Sequence, residues 1–396
     1  MTGPYKGRPQ TKAKHYILKR YLQTLSFKVL SFRDELVYVD GFSGPWKSQT
    51  EDFSDTSFMI ALSVLKDVQE QLQKQGRKVR IKCFFVEFDG VACGRLEAAV
   101  MPFHKPDDRF EVVVKCGRFE DAIGEIKAFM GRAFTLTFID PTGWTGYSYD
   151  RIKPVLEHDP GEVLINFMYD HVNRFSTHPD PKIITSLDDI LGGPGWNERL
   201  DPYLQRGPAI EKLFREVLRD AGRFKHSLST RIDKATEDRP HFFIVYGTRN
   251  DKGLEAFRGV EYDALKGHEV ERKAAKADKK AAACGTGDLF AGMEMPDESS
   301  IEALVASETV RARSWIVDHL REQEVVRFGI LWPLVLQAFV LRTTDVKQIC
   351  AGLAREGVIE NVWKSEGKRV PYDHHLIRCV KPGVADVNVG SAEVEP

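Results

Sequence analysis

Four sites carry acids where an apolar run gives out: Asp40 after Leu36-Val-Tyr-Val, Glu87 after Cys83-Phe-Phe-Val, Glu120 and Asp121 soon after Phe110-Glu-Val-Val-Val, and Asp140 after Phe134-Thr-Leu-Thr-Phe-Ile. Short β-branched apolar runs read as buried strands. Carboxylates gathered along one edge of a parallel sheet are costly unless they hold hydroxyls, amines or a cation. The chemistry expected is recognition of a polar, nucleotide-like ligand at the carboxyl ends of the strands. Past Asp40, Gly41 and Gly44 flank Phe42 and let backbone approach a ligand where a side chain would block it; an ordinary hairpin explains the same residues. Glu87, followed by Phe88, stands where an acid accepts both hydroxyls of a ribose, and equally where an acid meets a helix N-terminus. Asp121 could accept the exocyclic amine of an adenine or be an exposed first-turn acid. Asp140-Pro141-Thr-Gly-Trp144 predicts a stiff turn aiming acid and aromatic ring into one crevice, the alternative being a tight turn with Trp144 filling core. No Ser-His-Asp order, metal-ligand spacing or phosphate loop competes with this set, no metal is expected, and His374-His375 reads as surface. Arg249-Asn250 could face a substrate or form a helix-capping loop.

The elements that must position these residues follow from periodicity. Apolar residues at helical spacing over 11–30 predict a helix leading into the first strand, and a second helix over 56–75 is expected to be capped by Ser54 or Asp55. Strands over 79–87, 110–115, 133–140, 162–168 and 241–246 alternate with helix-length segments, among them 119–130, 149–156 and 209–221, which means a parallel, doubly wound sheet. The Pro- and Gly-rich segment 170–200 interrupts the pattern and is expected to be a lid or substrate-side insertion within a first domain over 1–266. Residues 267–300, rich in Ala and Lys and then acidic, offer no apolar face and read as a linker. Beyond it, helices over 301–340 and 345–356 precede strands over 358–363 and 375–380, separated by the charged tip Lys364-Ser-Glu-Gly-Lys-Arg369. This is the outline of a winged helix over 301–382, with a disordered tail over 383–396.

At 396 residues the chain has room for two or three units. A formal net charge of -1 excludes a uniformly basic nucleic-acid coat but not a local basic face. Six cysteines without a Cys-x-x-Cys pair suggest neither a zinc ribbon nor a disulfide framework, and read as small buried hydrophobes in a reducing compartment. No apolar run is long enough to span a bilayer and the polar, basic start is not a secretory signal, so no membrane partner and a cytoplasmic protein are expected.

Taken together, Lys14-His15-Tyr-Ile-Leu18, Asp40-Gly-Phe-Ser-Gly-Pro45, Asp55-Thr-Ser-Phe58, Phe85-Val-Glu87, Ile139-Asp-Pro141 and Tyr246-Gly-Thr-Arg-Asn250-Asp-Lys-Gly253 resemble the three-Cys-motif partner protein family (TcmP), and more broadly the class I methyltransferases that use S-adenosylmethionine. The resemblance covers about residues 11–260. It implies an α/β, doubly wound, mostly parallel Rossmann-like methyltransferase sheet with a C-terminal winged-helix-like α+β domain, S-adenosylmethionine as cofactor, and a three-Cys-motif protein as partner. It also implies that Asp40, Gly41 and Gly44 line the methionine end of the cofactor, Glu87 the ribose and Asp121 the adenine, that Phe42 and Phe88 belong to the cofactor-binding set, and that Lys14 reaches the cofactor carboxylate. In amine-methylating relatives an Asp/Asn-Pro-Pro-Tyr/Phe turn holds the target amine; Asp140 and Pro141 agree, while Thr142-Gly143 displaces the aromatic residue to Trp144.

Three functions fit this reading. The first is an S-adenosylmethionine-dependent methyltransferase acting on DNA, RNA or a nucleic-acid-associated partner, with Lys347, Lys364, Lys368 and Arg369 meeting phosphates. The second is a catalytically degenerate, cofactor-binding scaffold, consistent with the altered turn after Asp140. The third is a winged-helix DNA-binding regulator whose first domain senses a nucleotide. A winged helix docks protein as readily as nucleic acid, and Asp345, Glu356, Glu360 and Glu366 dilute its basic face.

Overall fold

Strand β1 (Glu35–Asp40) is buried along almost its whole length, as expected of a strand at the centre of a sheet covered on both faces. The computed structural model describes residues 5, 7–44, 48–284 and 300–380. Helix α1 (Pro9–Leu30) precedes β1 and begins with proline, whose missing N–H costs nothing in a first turn. The chain continues through α2 (Ser57–Lys74), β2 (Arg80–Glu87), α3 (Gly90–Val100), β3 (Phe110–Cys116), α4 (Ile123–Met130), β4 (Phe134–Ile139), α5 (Tyr149–Leu156) and β5 (Gly161–Phe167). It then forms α6 (Tyr169–Phe175), α7 (Pro181–Leu191), α8 (Arg206–Gly222), β6 (His226–Asp233), β7 (Pro240–Thr248) and α9 (Asp251–Cys284).

The sheet order is β3-β2-β1-β4-β5-β7-β6, with β1 to β5 parallel and β7 antiparallel to both of its neighbours. The mostly parallel sheet expected from the sequence is present; the reversal of β7 and the strand β6 were not anticipated. In β6, polar Ser227, Ser229, Thr230 and Arg231 mask the apolar signal. Alternate residues of each strand face opposite layers. Val37, Val39, Phe84, Val86, Ile139, Val163 and Ile165 join one core with Ile126 of α4, Ile152 of α5 and Phe214 of α8. On the other face α1 lies between α2 and α9. Each fully buried Leu, Ile or Phe contributes roughly 1.5–3 kcal/mol, so the two layers hold the strand ends in register.

Several local expectations are corrected. The segment 170–200, expected as a lid or substrate-side insertion, is largely helical: Val172, Leu187, Ile190, Leu191 and Trp196 enter the core, while His171 lines the cleft described below. Residues 267–284 continue α9 instead of forming a linker, because polar contacts replace the missing apolar stripe: Arg272 donates to the carbonyls of Lys234 and Glu237 and to Asp238, and His268 Nε2 meets the Asp233 carbonyl. The remaining linker residues 285–299 and the expected tail over 383–396 lie outside the described residues. Asp55 does not cap α2; its side chain gathers Ser48 Oγ (2.6 Å), Gln49 N (3.0 Å), Thr50 Oγ1 (3.2 Å) and Arg8 (3.0 Å) and fastens the loop after β1. Cys93 of α3 and Cys116 at the end of β3 form a disulfide, against the expectation of unpaired cysteines, while Cys83 and Cys350 are the buried thiols anticipated.

A second compact unit begins at Val305. It contains most of α10 (Ile301–Gln323), then β8 (Val325–Arg327), α11 (Phe328–Ala338), α12 (Thr343–Arg355) and β9 (Leu376–Arg378). Gly357, at φ 74°, takes the left-handed conformation that ends α12. β8 and β9 pair antiparallel, and the strand expected over 358–363 reduces to a single bridge from Ile359 to Cys379 followed by a 3-10 turn, Val362–Glu366. Among the described residues no helix is long and apolar enough to cross a membrane.

Candidate functional site

Parallel strands deliver their carboxyl ends to one edge, and there the molecule opens into a cleft of about 450 Å³. Lys14 and His15 of α1, Phe42 and Gly44 after β1, Ser57 of α2, Asp140 and Pro141 after β4, and Asn166 of β5 line it. Because β7 runs backwards, its first residues rather than its last reach this edge, so His241 and Phe242 complete the wall. His171 of α6 and Met168 stand beside them.

Asp140 is the centre of the cleft. Lys14 Nζ donates to its Oδ2 (2.5 Å) and Asn166 Nδ2 to its Oδ1 (2.7 Å). The opposite amide atom, Asn166 Oδ1, is buried with no hydrogen-bond partner, as is Gln10 Oε1 on the α1 side of the same cleft. Buried acceptors left unpaired are rare, and two at one cleft mark places where a ligand's donors would be welcome. Asp40 lies below, 0% exposed, accepting from Ser57 Oγ (2.8 Å) and Phe42 N (3.1 Å). Burial pushes its carboxyl up to about 6, with nearby Asp140 adding to the rise and the hydrogen bonds opposing it. His15 goes the other way, down to about 3, because burial and then the Lys14 charge disfavour its imidazolium. It is therefore a neutral ring, bonded through Nδ1 to Tyr5 Oη (3.0 Å). His241 is also lowered, chiefly by burial.

Not all the residues singled out from sequence meet here. Glu87 is buried and its Oε1 accepts from Asp89 N (2.7 Å), Phe88 is 68% exposed with the Arg118 guanidinium 5.3 Å from its ring centre, and Asp121 is paired with Arg151 (2.7 Å); none of the three lines the cleft. Gly41 does permit a close approach, but of Phe119: a Cβ there would come within 2.9 Å of that ring, which also packs on Phe42. Trp144 does not line the cleft: it donates to Ser186 Oγ (2.9 Å), packs on Phe175, and stands edge-on behind His171, which does line it, with ring centres 6.1 Å apart. Arg249 lies beyond the other end of the sheet, donating to the carbonyls of Leu156, His158, Gly161 and Gly222. In the second unit Lys347 and Lys368 converge on Tyr372, 5.1 and 5.4 Å from its ring centre, while Lys364 and Arg369 are exposed.

Sequence reasoning missed Asn166, Gln10, His171, His241 and Phe242. Asn166 had a signal, an amide inside the apolar run Val163-Leu-Ile-Asn-Phe167. His241 and Phe242 had none, since their place depends on the direction of β7.

No family model and no curated protein matches the chain. Among solved structures, a protein from Legionella pneumophila str. Philadelphia 1, assigned to family DUF519, aligns at 11% identity over 59% of this chain and 85% of its own, with a TM-score of 0.32. Loganic acid methyltransferase with SAH aligns at 9% identity over 69% of this chain and 90% of its own, with a TM-score of 0.29. At these scores neither carries a residue role or an activity to this chain.

Proposed function

We propose that the chain is an S-adenosylmethionine-dependent methyltransferase acting on nucleic acid or a nucleic-acid-associated partner, working with a three-Cys-motif protein. The sheet order, with one reversed strand between β5 and β6, is the arrangement of the class I enzymes that the sequence resembles. The observation that carries the reading is Asp140 held between Lys14 and Asn166 at a cleft with two unpaired buried acceptors.

The residues suit the cofactor at its methionine end. Lys14 is a cation for its carboxylate, and the buried Asp40 and half-buried Asp140 favour a sulfonium, whose charge would relieve their mutual repulsion. Glu87 suits the ribose; Asp121 suits the adenine only on leaving Arg151. When bound, the cofactor supplies an electrophilic methyl group. The chain's own work is positioning and exclusion of water. Asp140 and the free Oδ1 of Asn166 orient an N–H donor on the acceptor, with the Lys14 ammonium exchanged from the acid to the cofactor carboxylate. Phe42, Met168 and Phe242 supply the apolar walls. The winged-helix reading of the second unit rests on a helix, a strand, two helices and one further strand, β9, that pairs back to β8; its Lys347, Lys364, Lys368 and Arg369 would meet phosphates.

Titration calorimetry with S-adenosylmethionine and its demethylated product, followed by labelled-methyl transfer to RNA, DNA and the partner protein, tests this. Binding with transfer to one of them supports the proposal. Binding without transfer in the partner's presence favours the scaffold, for which the placing of Trp144 behind the cleft wall speaks. Absence of cofactor binding with salt-dependent duplex binding favours the regulator.

A further inference from the structure

The pair His374-His375 is not the plain surface feature its sequence suggests. His374 is exposed, but His375 is only 5% exposed, and its Nε2 is buried without a hydrogen-bond partner. That nitrogen faces Glu366 Oε1 at 3.3 Å, and His374 Nε2 lies 3.4 Å from each oxygen of the same carboxylate. A charge-assisted N–H to carboxylate bond closes to about 2.7–2.9 Å, so these contacts are long for ion pairs. They are the right length for something else. Nitrogen and oxygen ligands held at about 2.0–2.1 Å around a tetrahedral ion stand roughly 3.3–3.4 Å from one another.

We propose that Glu366, His374 and His375 form a divalent transition-metal site of the zinc class in the second unit. Each imidazole offers one nitrogen and the acid one oxygen, all within 4.8 Å of one another, and it is Nε2 of each ring that faces Glu366. Two imidazoles with one carboxylate select zinc and its neighbours over calcium or magnesium, which prefer oxygen alone. Closing the remaining imidazole edge needs rotation of the exposed His374 together with a pivot of the His375 ring. A fourth position opens to solvent beside His374 and Glu366.

Beside His375 Nδ1 the Tyr372 carbonyl is an acceptor of the kind metal-bound imidazoles use, while the Tyr372 amide donates to the same nitrogen at shorter range. Nδ1 lies 3.2 Å from the carbonyl oxygen and accepts from the amide at 2.7 Å. With no ion, Nδ1 accepts from the amide and Nε2 keeps the proton. On binding, the proton moves to Nδ1, the ring pivots from the amide toward the carbonyl, and Nε2 presents its lone pair. The ion would join the 3-10 turn Val362–Glu366 to the segment entering β9, and so brace the loop that carries Tyr372 with Lys347 and Lys368 over its ring.

The test uses the full chain, stripped with chelator and titrated with CoCl2 and then ZnCl2, beside Glu366→Gln and His374→Ala, which alter exposed groups. The expected result is one four-coordinate cobalt spectrum per chain, displaced by zinc. Each variant should weaken binding about tenfold or more, and zinc should raise the thermal midpoint of the parent chain but not of the variants. Two results would overturn the site: no such spectrum in the parent chain, or a spectrum of undiminished affinity in both variants, which would put the ion on other histidines.

Discussion

Glu162 and Asp140 are acids at opposite ends of adjacent strands, and the protein treats them differently. Glu162, at the start of β5, is sealed: Tyr21 Oη donates to Oε2 (2.5 Å), Thr248 Oγ1 to Oε1 (2.7 Å), and Tyr246 Oη joins Tyr21 Oη (2.5 Å) while its ring stacks on Phe257. Burial raises its carboxyl above the usual range despite these hydroxyls. Asp140, beyond the end of β4, has its oxygens engaged, but its surroundings are incomplete: Asn166 Oδ1 and Gln10 Oε1 have no partner, and a cleft stands open beside them. A closed polar network fixes α1 and α9 to the sheet; an unfinished one leaves donors and acceptors for a ligand. Burial alone does not mark a site. Incompleteness beside an open cleft is what sets Asp140 apart.

The largest effect that would break this contrast is on transfer. Asp140→Ala should lower labelled-methyl transfer by about a hundredfold or more, with unfolding free energy falling by only about 1–2 kcal/mol for the stranded Lys14 and Asn166 donors. An equal loss of stability and activity would make Asp140 another structural acid. The mirror experiment is Glu162→Ala, which strands the hydroxyls of Tyr21, Tyr246 and Thr248. Denaturant melts should show a loss of about 3 kcal/mol, while cofactor affinity of the folded protein stays within twofold of the parent's.

Asp40 falls between the two, sealed like Glu162 but under the cleft, and pH sharpens its place. Its folded carboxyl, at about 6, lies above the ordinary 3.8. Between those values the native state keeps a proton that the unfolded chain has lost. Stability therefore falls as pH rises through this window, by up to about 3 kcal/mol. Asp40→Asn should lack that slope in urea melts; a parallel slope in both proteins would assign the pH dependence elsewhere. The smallest effect concerns Asp121. Arg151→Ala frees it from an exposed, solvent-screened ion pair, and cofactor affinity by calorimetry should rise a few-fold if the acid reads adenine. An unchanged affinity would retire that role.

Much of the frame was legible. The runs Leu36-Val-Tyr-Val, Phe84-Phe-Val and Leu136-Thr-Phe-Ile are long and apolar enough to be central strands, and the acids after them do end at one edge. The direction of β7 was not legible, because a strand's apolar content is the same whichever way it runs. The extension of α9 was hidden for a related reason: Arg272 and His268 gain their partners from the β6–β7 connection, dozens of residues away.

By itself the sequence determined which segments are strands and helices, that the sheet is mostly parallel, and where carboxylates leave it, since those properties depend on near neighbours and their periodicity. Only the tertiary structure decided that Lys14 closes on Asp140 across 126 positions, that Phe119 rather than a ligand covers Gly41, and that His375 is buried against Glu366. Such pairings depend on how whole layers pack, and no local pattern records which distant side chain arrives first at an unfilled hydrogen bond.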